Sequence, residues 1–337
     1  MGVGDVLAHK AVNDVARRTA GGAGYDYDPM FAPVRQAISE ADLAICNMET
    51  PLSATNTGLT SGGVAVFNTP REMATAVRRA GFDACSFASN HTWDQGRRGV
   101  EETLDVLDAA GVRHAGAART AAEMARPPIY DVAGVKVGHL AYTYTIANDG
   151  SPTTWVPDGM PWLRQMLWPA VGADGMERAA KALRARGAEV VVMSVHWGQE
   201  YQRPPTSDQR RVARQVLSSG AVDLVLGHHA HVVQPCEKVD GRYVVYGMGN
   251  FLSNQSPVVG ARFPAGTQDG VITRFTLAEG ADGRFRVTSA TYTPTLVVRP
   301  GRVVTPATTT RYADSRGRTV DAVSSLGPEA CDMRPTG

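Results

Sequence analysis

The chain has no C-x-x-C pair, no apolar run long enough to cross a bilayer and almost no net charge. Its four cysteines, Cys46, Cys85, Cys236 and Cys331, are scattered through 337 residues. Cys46 and Cys85 fall in apolar, strand-like runs, where a free thiol packs as a small hydrophobe. That usage fits a reducing compartment better than a disulfide framework, so a cytoplasmic location is expected. The formal net charge is +1 and no basic arm is present, which leaves no electrostatic case for nucleic acid or an anionic membrane. No stretch approaches the ~18–20 apolar residues of a membrane span. A Gly-x-x-x-x-Gly-Lys-Ser/Thr loop is also missing, so ATP-driven ligation has no support. The amino terminus reads as no signal peptide. It opens almost inside a core strand, so residues upstream of Met1 are expected.

What is present is ordinary for a globular protein with a sizeable core: 43% hydrophobic and 20% charged residues. Apolar runs at 43–46, 84–87, 190–195 and 224–226 read as strands. Helical segments are expected near 30–41, 70–81, 97–110, 174–186 and 206–219, the second opened by Thr69 as cap and Pro70 at the first position. From about residue 234 the rhythm becomes antiparallel, with hairpins around Asp240-Gly241 and Asp282-Gly283. Parallel β/α units followed by antiparallel strands predict two sheets packed face to face with helices outside. The expected organisation is one domain over 1–300, interrupted by an insertion at 145–172, then a polar extension over 301–337 that is partly disordered. The insertion holds Pro152, Pro157, Pro161 and Pro169 with Trp155, Trp162 and Trp168. Such a loop is either a lid or binding surface, or an element whose tryptophans pack it onto the core.

Polar clusters close the predicted strands. They are Gly4-Asp5, Asn47-Met48-Glu49, Ser89-Asn90-His91 with Asp94, His196-Trp197-Gly198-Gln199-Glu200, and His228-His229-Ala230-His231. The last group places three of only eight histidines within four residues. Strand ends on one side of a parallel sheet are neighbours in space, and α/β folds place their chemistry there. Carboxylates, an amide and imidazoles gathered in this way suit two divalent cations ~3.5–4 Å apart. Taken singly, each residue has a plainer reading. Asp5 caps a helix, Glu49 is a solvated loop carboxylate, and His91 and His196 are satisfied core histidines.

Six strings occur together and in order: Gly4-Asp5-Val6, Asn47-Met48-Glu49-Thr50-Pro51, Ser89-Asn90-His91-Thr92-Trp93-Asp94-Gln95-Gly96, His196-Trp197-Gly198-Gln199-Glu200-Tyr201, His229-Ala230-His231-Val232-Val233-Gln234 and Tyr246-Gly247-Met248-Gly249-Asn250-Phe251. Through them the chain resembles the CapA family, linked with bacterial poly-γ-glutamate capsule synthesis and similar in fold to the calcineurin-like metallophosphoesterases. The resemblance covers about residues 3–255. It implies a four-layer α/β/β/α sandwich with a metal centre at the strand ends. It also implies Asp5 and His231 on a first cation, Glu49 bridging, and Asn90, His196 and His229 on a second. His91 would serve as general acid or as donor to developing negative charge, oriented by Asp94. The cations are two divalent ions drawn from Mn, Fe or Zn.

The chain departs from the metallophosphoesterase pattern in two places. Asp5 is followed by Val6 and Leu7 where Asp-x-His is usual, and Asn47-Met48-Glu49 stands in place of Gly-Asp-x-x-Asp. His9 is a candidate ligand or substrate contact, against a capping or surface histidine. Glu200 either reads a cationic substrate group or lies exposed. Asn250 either reaches the rim or shapes a turn, and Trp197 is a candidate substrate contact. His228 is the doubtful member of its triplet, His114 approaches the site from the side or stays apart, and His139 is a packed strand residue. The function implied is metal-dependent hydrolysis, by a metal-bridging hydroxide, of a phosphoester or a γ-glutamyl-type amide in a small molecule or short peptide. The rivals are an accessory role in polyglutamate synthesis and a metal-free carbohydrate- or peptide-binding domain using Trp155, Trp162, Trp168 and Trp197.

Overall fold

The computed structural model describes residues 1–61 and 65–337. Two mixed sheets dominate it. In the first, the strands lie in the order Val303–Pro306, Phe285–Val298, Asp269–Glu279, Gly2–Val6, Ile45–Met48, Ala84–Phe87 and Arg113–Gly116. The last four run parallel to one another, while Asp269–Glu279 and its hairpin partner Phe285–Val298 are antiparallel. The second sheet runs Cys236–Val239, Arg242–Val245, Leu224–His228, Val190–His196, Val135–Thr143 and Ile129–Val132, parallel through its four central strands.

Alternation along the strands builds the layers. Val190, Val192, Leu224 and Leu226 face Ile45, Ala84 and Val271 across the gap between the sheets. Their neighbours Val191, Met193, Val195 and Val225 point the other way, onto Met176, Leu183, Val212 and Val216 of helices Trp168–Ala185 and Ser207–Ser218. Both faces are buried, which is why these strands read as unbroken apolar runs. On the far side of the first sheet, Val3, Cys46 and Met48 pack on Val12, Met73 and Val77 of helices Lys10–Thr19 and Glu72–Ala80. The result is the expected helix–sheet–sheet–helix sandwich.

Tyr246–Asn250 stitches the two sheets together. It leaves Arg242–Val245 in the second sheet and enters Asn250–Leu252, which pairs with Gly2–Val6 in the first. On the way, Met248 N–H donates to Gly227 O (2.9 Å) and Asp5 N–H donates to Gly249 O (2.9 Å). The approach is so close that a Cβ on Gly227 would lie 1.9 Å from Tyr246 O, and one on Gly4 would lie 2.0 Å from Gly249 O. Backbone against backbone cannot yield as a flexible side chain can. Gly227→Ala is therefore expected to lower stability by about 2–4 kcal/mol, read as a fall in unfolding midpoint. It would also spread the two strand ends that flank the crossing.

Several expectations need correction. Helix Glu72–Ala80 starts two residues after Pro70, because Thr69–Pro70 pairs as a short strand with Leu52–Ser53. The helix Lys10–Thr19 escaped the sequence reading altogether. For the insertion, where both a lid and a packed element were open, the structure shows packing. Met160, Leu163, Met166 and Leu167 are buried, Trp162 Nε1 donates to Ala118 O (2.9 Å), and Trp155 sits edge-on to Trp93. The tail is ordered as well. Val303–Pro306 extends the first sheet, and helix Ala313–Val323 buries Ser315, Thr319, Ala322 and Val323.

The cysteines are not free thiols. Cys46 bonds Cys85 on the adjacent parallel strand (Cα–Cα 4.4 Å), and Cys236 bonds Cys331 (Cα–Cα 5.7 Å). This removes the basis on which a reducing compartment was expected. The partners lie 39 and 95 residues apart, so no local spacing betrays them. The second bond fastens the carboxy-terminal segment to the edge of the second sheet. Replacing both Cys236 and Cys331 by Ser is expected to cost about 2–5 kcal/mol of stability, measurable by denaturant titration. No helix among the described residues is long and apolar enough to cross a membrane.

Candidate metal centre

Gly2–Val6, Ile45–Met48, Ala84–Phe87, Val190–His196 and Leu224–His228 all end on one side of the sandwich, and the expected ligands gather there. Asp5 is wholly buried at the end of the first strand. Its Oδ1 accepts from Asn47 Nδ2 (2.9 Å) and lies 3.1 Å from His228 Nδ1; its Oδ2 accepts from the His229 N–H (3.2 Å) and lies 3.4 Å from His231 Nδ1. Burial opposes ionisation, but the His228 and His231 hydrogen bonds outweigh it and hold this carboxyl well below the usual range.

Glu49 is the opposite case. It is wholly buried, and neither carboxylate oxygen has a hydrogen-bond partner. Oε1 lies 3.6 Å from His231 Nε2 and 3.8 Å from His196 Nε2, too far for hydrogen bonds but suited to sharing an ion between them. Burial drives its pKa well up. An ionised carboxylate without donors is expensive in a protein interior unless a cation meets it.

The imidazoles complete the set. His196 Nε2 lies 2.9 Å from Asn90 Oδ1, with its Nδ1 buried and unpartnered; His229 Nδ1 is likewise buried without a partner. Burial holds His196 well below its ordinary value and pushes His229 down to about 3. Both are thus kept in the neutral form that ligates metals. For His231 burial acts in the same direction, but the Glu49 and Asp5 carboxylates overcome it and raise it to about 9. His229 and His231 adopt φ of 87° and 55°, conformations that cost a non-glycine residue energy and that cluster at functional sites. Asp5, Glu49 and His231 form one triplet whose ligand atoms lie within 4.8 Å of one another, and Glu200, His229 and His231 form a second.

His91 stands beside this cluster. Its Nδ1 lies 2.9 Å from Asp94 Oδ2, an oxygen that also accepts from the Phe67 N–H (2.7 Å), so the imidazole is fixed from behind. Its Nε2 points to Asn90 Nδ2 at 3.5 Å. His9 lies half-buried at the rim. Its Nδ1 accepts from the Asn254 N–H (3.2 Å) and lies 3.1 Å from Leu7 O, and its ring meets Phe67 edge-on, as His91 does.

Two expected substrate contacts are placed elsewhere. Trp197 is buried in the outer core of the second sheet, with Nε1 donating to Tyr246 O (2.8 Å), so it holds the crossing segment and not a ligand. Asn250 is wholly buried beneath His231, its Oδ1 3.1 Å from Nδ1 and its Nδ2 donating to Thr267 O (2.9 Å). It orients that imidazole. Glu200 is exposed, but its carboxylate belongs to the His229–His231 group. His114 pairs with Asp108 (3.2 Å) on an edge strand, apart from the cluster. His139 is packed as expected, between Tyr130 Oη (3.1 Å) and Ser194 Oγ (3.0 Å).

Sequence reasoning undervalued three residues. His228 is no spectator, since it clamps Asp5 from the neighbouring sheet. Asn47 links Asp5 to Ser86 through its side chain. Tyr144 lies against His229 (centroids 4.6 Å apart) and parallel to His196. Asn47 stood within a quoted motif, whereas nothing in the sequence singled out Tyr144.

The "PGA biosynthesis protein CapA" of Bacillus subtilis (strain 168) is 26% identical over 287 residues, covering 85% of this chain and 69% of that protein. The "Capsule biosynthesis protein CapA" of Bacillus anthracis is 26% identical over 256 residues, covering 75% of this chain and 59% of that protein. Among solved structures, the calcineurin-like phosphoesterase YfkN from Bacillus subtilis superposes with a TM-score of 0.42 at 14% identity, over 89% of this chain and 90% of that one. The family model described as "Bacterial capsule synthesis protein PGA_cap" matches residues 1–255, and the chain belongs to that family.

Proposed function

We propose that the chain is a metal-dependent hydrolase acting on a phosphoester or a γ-glutamyl-type amide. One observation carries the reading: Glu49 buries two carboxylate oxygens, neither with a donor, between the imidazoles of His196 and His231. The donor set fits divalent cations. Asp5, Glu49 and His231 would hold one, and Glu49, Asn90, His196 and His229 the other, with Glu200 at the open side. Mn, Fe and Zn all accept such mixed imidazole and carboxylate ligation. When bound, the ions supply Lewis acidity and a nucleophile available near neutral pH.

The chain's own groups do the rest. Asn47 and His228 fix the Asp5 carboxylate, and Asn250 and Asp5 fix His231. Asp94 accepts the His91 Nδ1 proton, leaving Nε2 facing the cluster. A protonated Nε2 there donates to the leaving group or to charge developing on the reacting centre. Fold class does not select between phosphorus and carbonyl centres. The assay that does so loads the protein with Mn, Fe or Zn and compares phosphomonoesters and phosphodiesters with γ-glutamyl peptides. Turnover of one class that vanishes with chelator is expected. No turnover of either class by the loaded protein would favour an accessory role in polymer synthesis.

A further inference from the structure

Arg299 and Arg302 occupy the turn between Phe285–Val298 and Val303–Pro306, beyond the residues matched by the family model. Both reach across to Asn254. Arg299 Nη1 (2.9 Å) and Arg302 Nε (2.9 Å) donate to the same oxygen, Asn254 Oδ1, and Arg299 Nη2 donates to Asn254 O. Arg302 Nη1 donates to Pro300 O. All these acceptors are neutral, and neither guanidinium forms an ion pair among the described residues. Arg119, Arg184, Arg214, Arg286 and Arg318 each meet a carboxylate, and although Arg71, Arg164 and Arg186 also bond only backbone carbonyls, each of those does so singly. Two like charges are therefore gathered on one amide oxygen, both half-buried, and Arg18 adds a third positive charge close to Arg302. Like charges at this spacing repel, and partial burial strips some of their hydration. Arg302 also holds φ at 55° to take its place.

A run of contacts links the pair to the metal centre. The Asn254 N–H donates to His9 Nδ1 (3.2 Å), His9 meets Phe67 edge-on at 5.5 Å, and Phe67 meets His91 at 4.6 Å. A guanidinium fork suits planar oxyanions, which it binds bidentately.

We infer that Arg299 and Arg302 form an oxyanion-binding subsite on the His9–Phe67 side of the metal centre, taking a carboxylate or phosphate of the substrate away from the reacting bond. This rests on the reading of the metal centre as the reacting site. The two arginines are positioning residues for substrate and touch no reacting atom.

The test is calorimetric titration of the full chain after chelation of metal, so that anions do not bind to cations. The probes are γ-linked triglutamate, its α-carboxamide counterpart and inorganic phosphate. The wild type is expected to bind the acid at least tenfold more tightly than the amide, with affinity falling as salt rises. That preference is expected to vanish in Arg299→Gln/Arg302→Gln. Phosphate binding lost in the same variant, without an acid preference, would support the subsite and identify phosphate as its anion. Wild-type binding of both acid and phosphate by the variant would overturn the proposal, as would failure of the wild type to bind either. Should the double variant unfold, Arg302→Lys, which keeps the charge but not the fork, is expected to lose part of the preference, while Arg302→Gln loses most of it. Equal affinities in these two single variants would contradict it. Because no turnover is read, a failure of the hydrolase reading leaves this result untouched.

Discussion

Glu49→Gln is expected to reduce bound metal from two equivalents to fewer than one and to lower turnover at least 10³-fold, with the fold intact. The change is nearly isosteric, so packing is preserved; what disappears is the negative charge between His196 and His231. An amide offers only a neutral oxygen to either ion. The variant should also differ from wild type when both are metal-free. In the metal-free wild type, folding raises the Glu49 pKa above its ordinary value of 4.5 because the group is buried. The folded state then holds its proton more tightly than the unfolded chain does. This group's contribution is thus full below the unfolded value and is lost as pH rises towards the folded one. Metal-free Glu49→Gln lacks that loss, so at neutral pH it should melt above the metal-free wild type. With metal present the order reverses. Metal content by elemental analysis and thermal unfolding with and without chelator check both halves.

His91→Ala is expected to lower kcat by about 10²–10⁴-fold while both metal equivalents remain. The residue touches the cluster only through Asn90 Nδ2 and owes its orientation to Asp94. Removing it takes away a donor used as the reaction proceeds and no ligand, so KM should change little. Asp94→Asn should produce a smaller loss, about 10–100-fold, because the imidazole stays but its tautomer and aim are no longer fixed. Steady-state kinetics with metal content measured on the same samples decide this. Loss of metal in His91→Ala would make the residue a ligand.

The parts of this molecule that were legible in its sequence are those where a short segment carries its own signal. Val190–His196 announces a buried strand because both faces are covered, and its terminal histidine announces the site. Asp240-Gly241 announces its hairpin because the turn needs two positive φ values, observed at 49° and 80°. What stayed hidden depends on pairs distant along the chain. Cys46 and Cys85 are joined by strand register, which no spacing encodes. His228 looked dispensable because its value lies in reaching Asp5, 223 residues away and in the other sheet. Trp197 and Asn250 sit in polar motifs and look like contacts for a ligand. Only the crossing of Tyr246–Asn250 between the sheets turns them into supports for the site.

The most direct measurement is metal content together with anomalous diffraction on the full chain reconstituted with Mn or Zn. The account predicts two peaks per chain, both beside Glu49, with Asp5 and His231 at one and Asn90, His196 and His229 at the other. A single peak, peaks distant from Glu49, or a reconstituted protein holding less than one equivalent would contradict it.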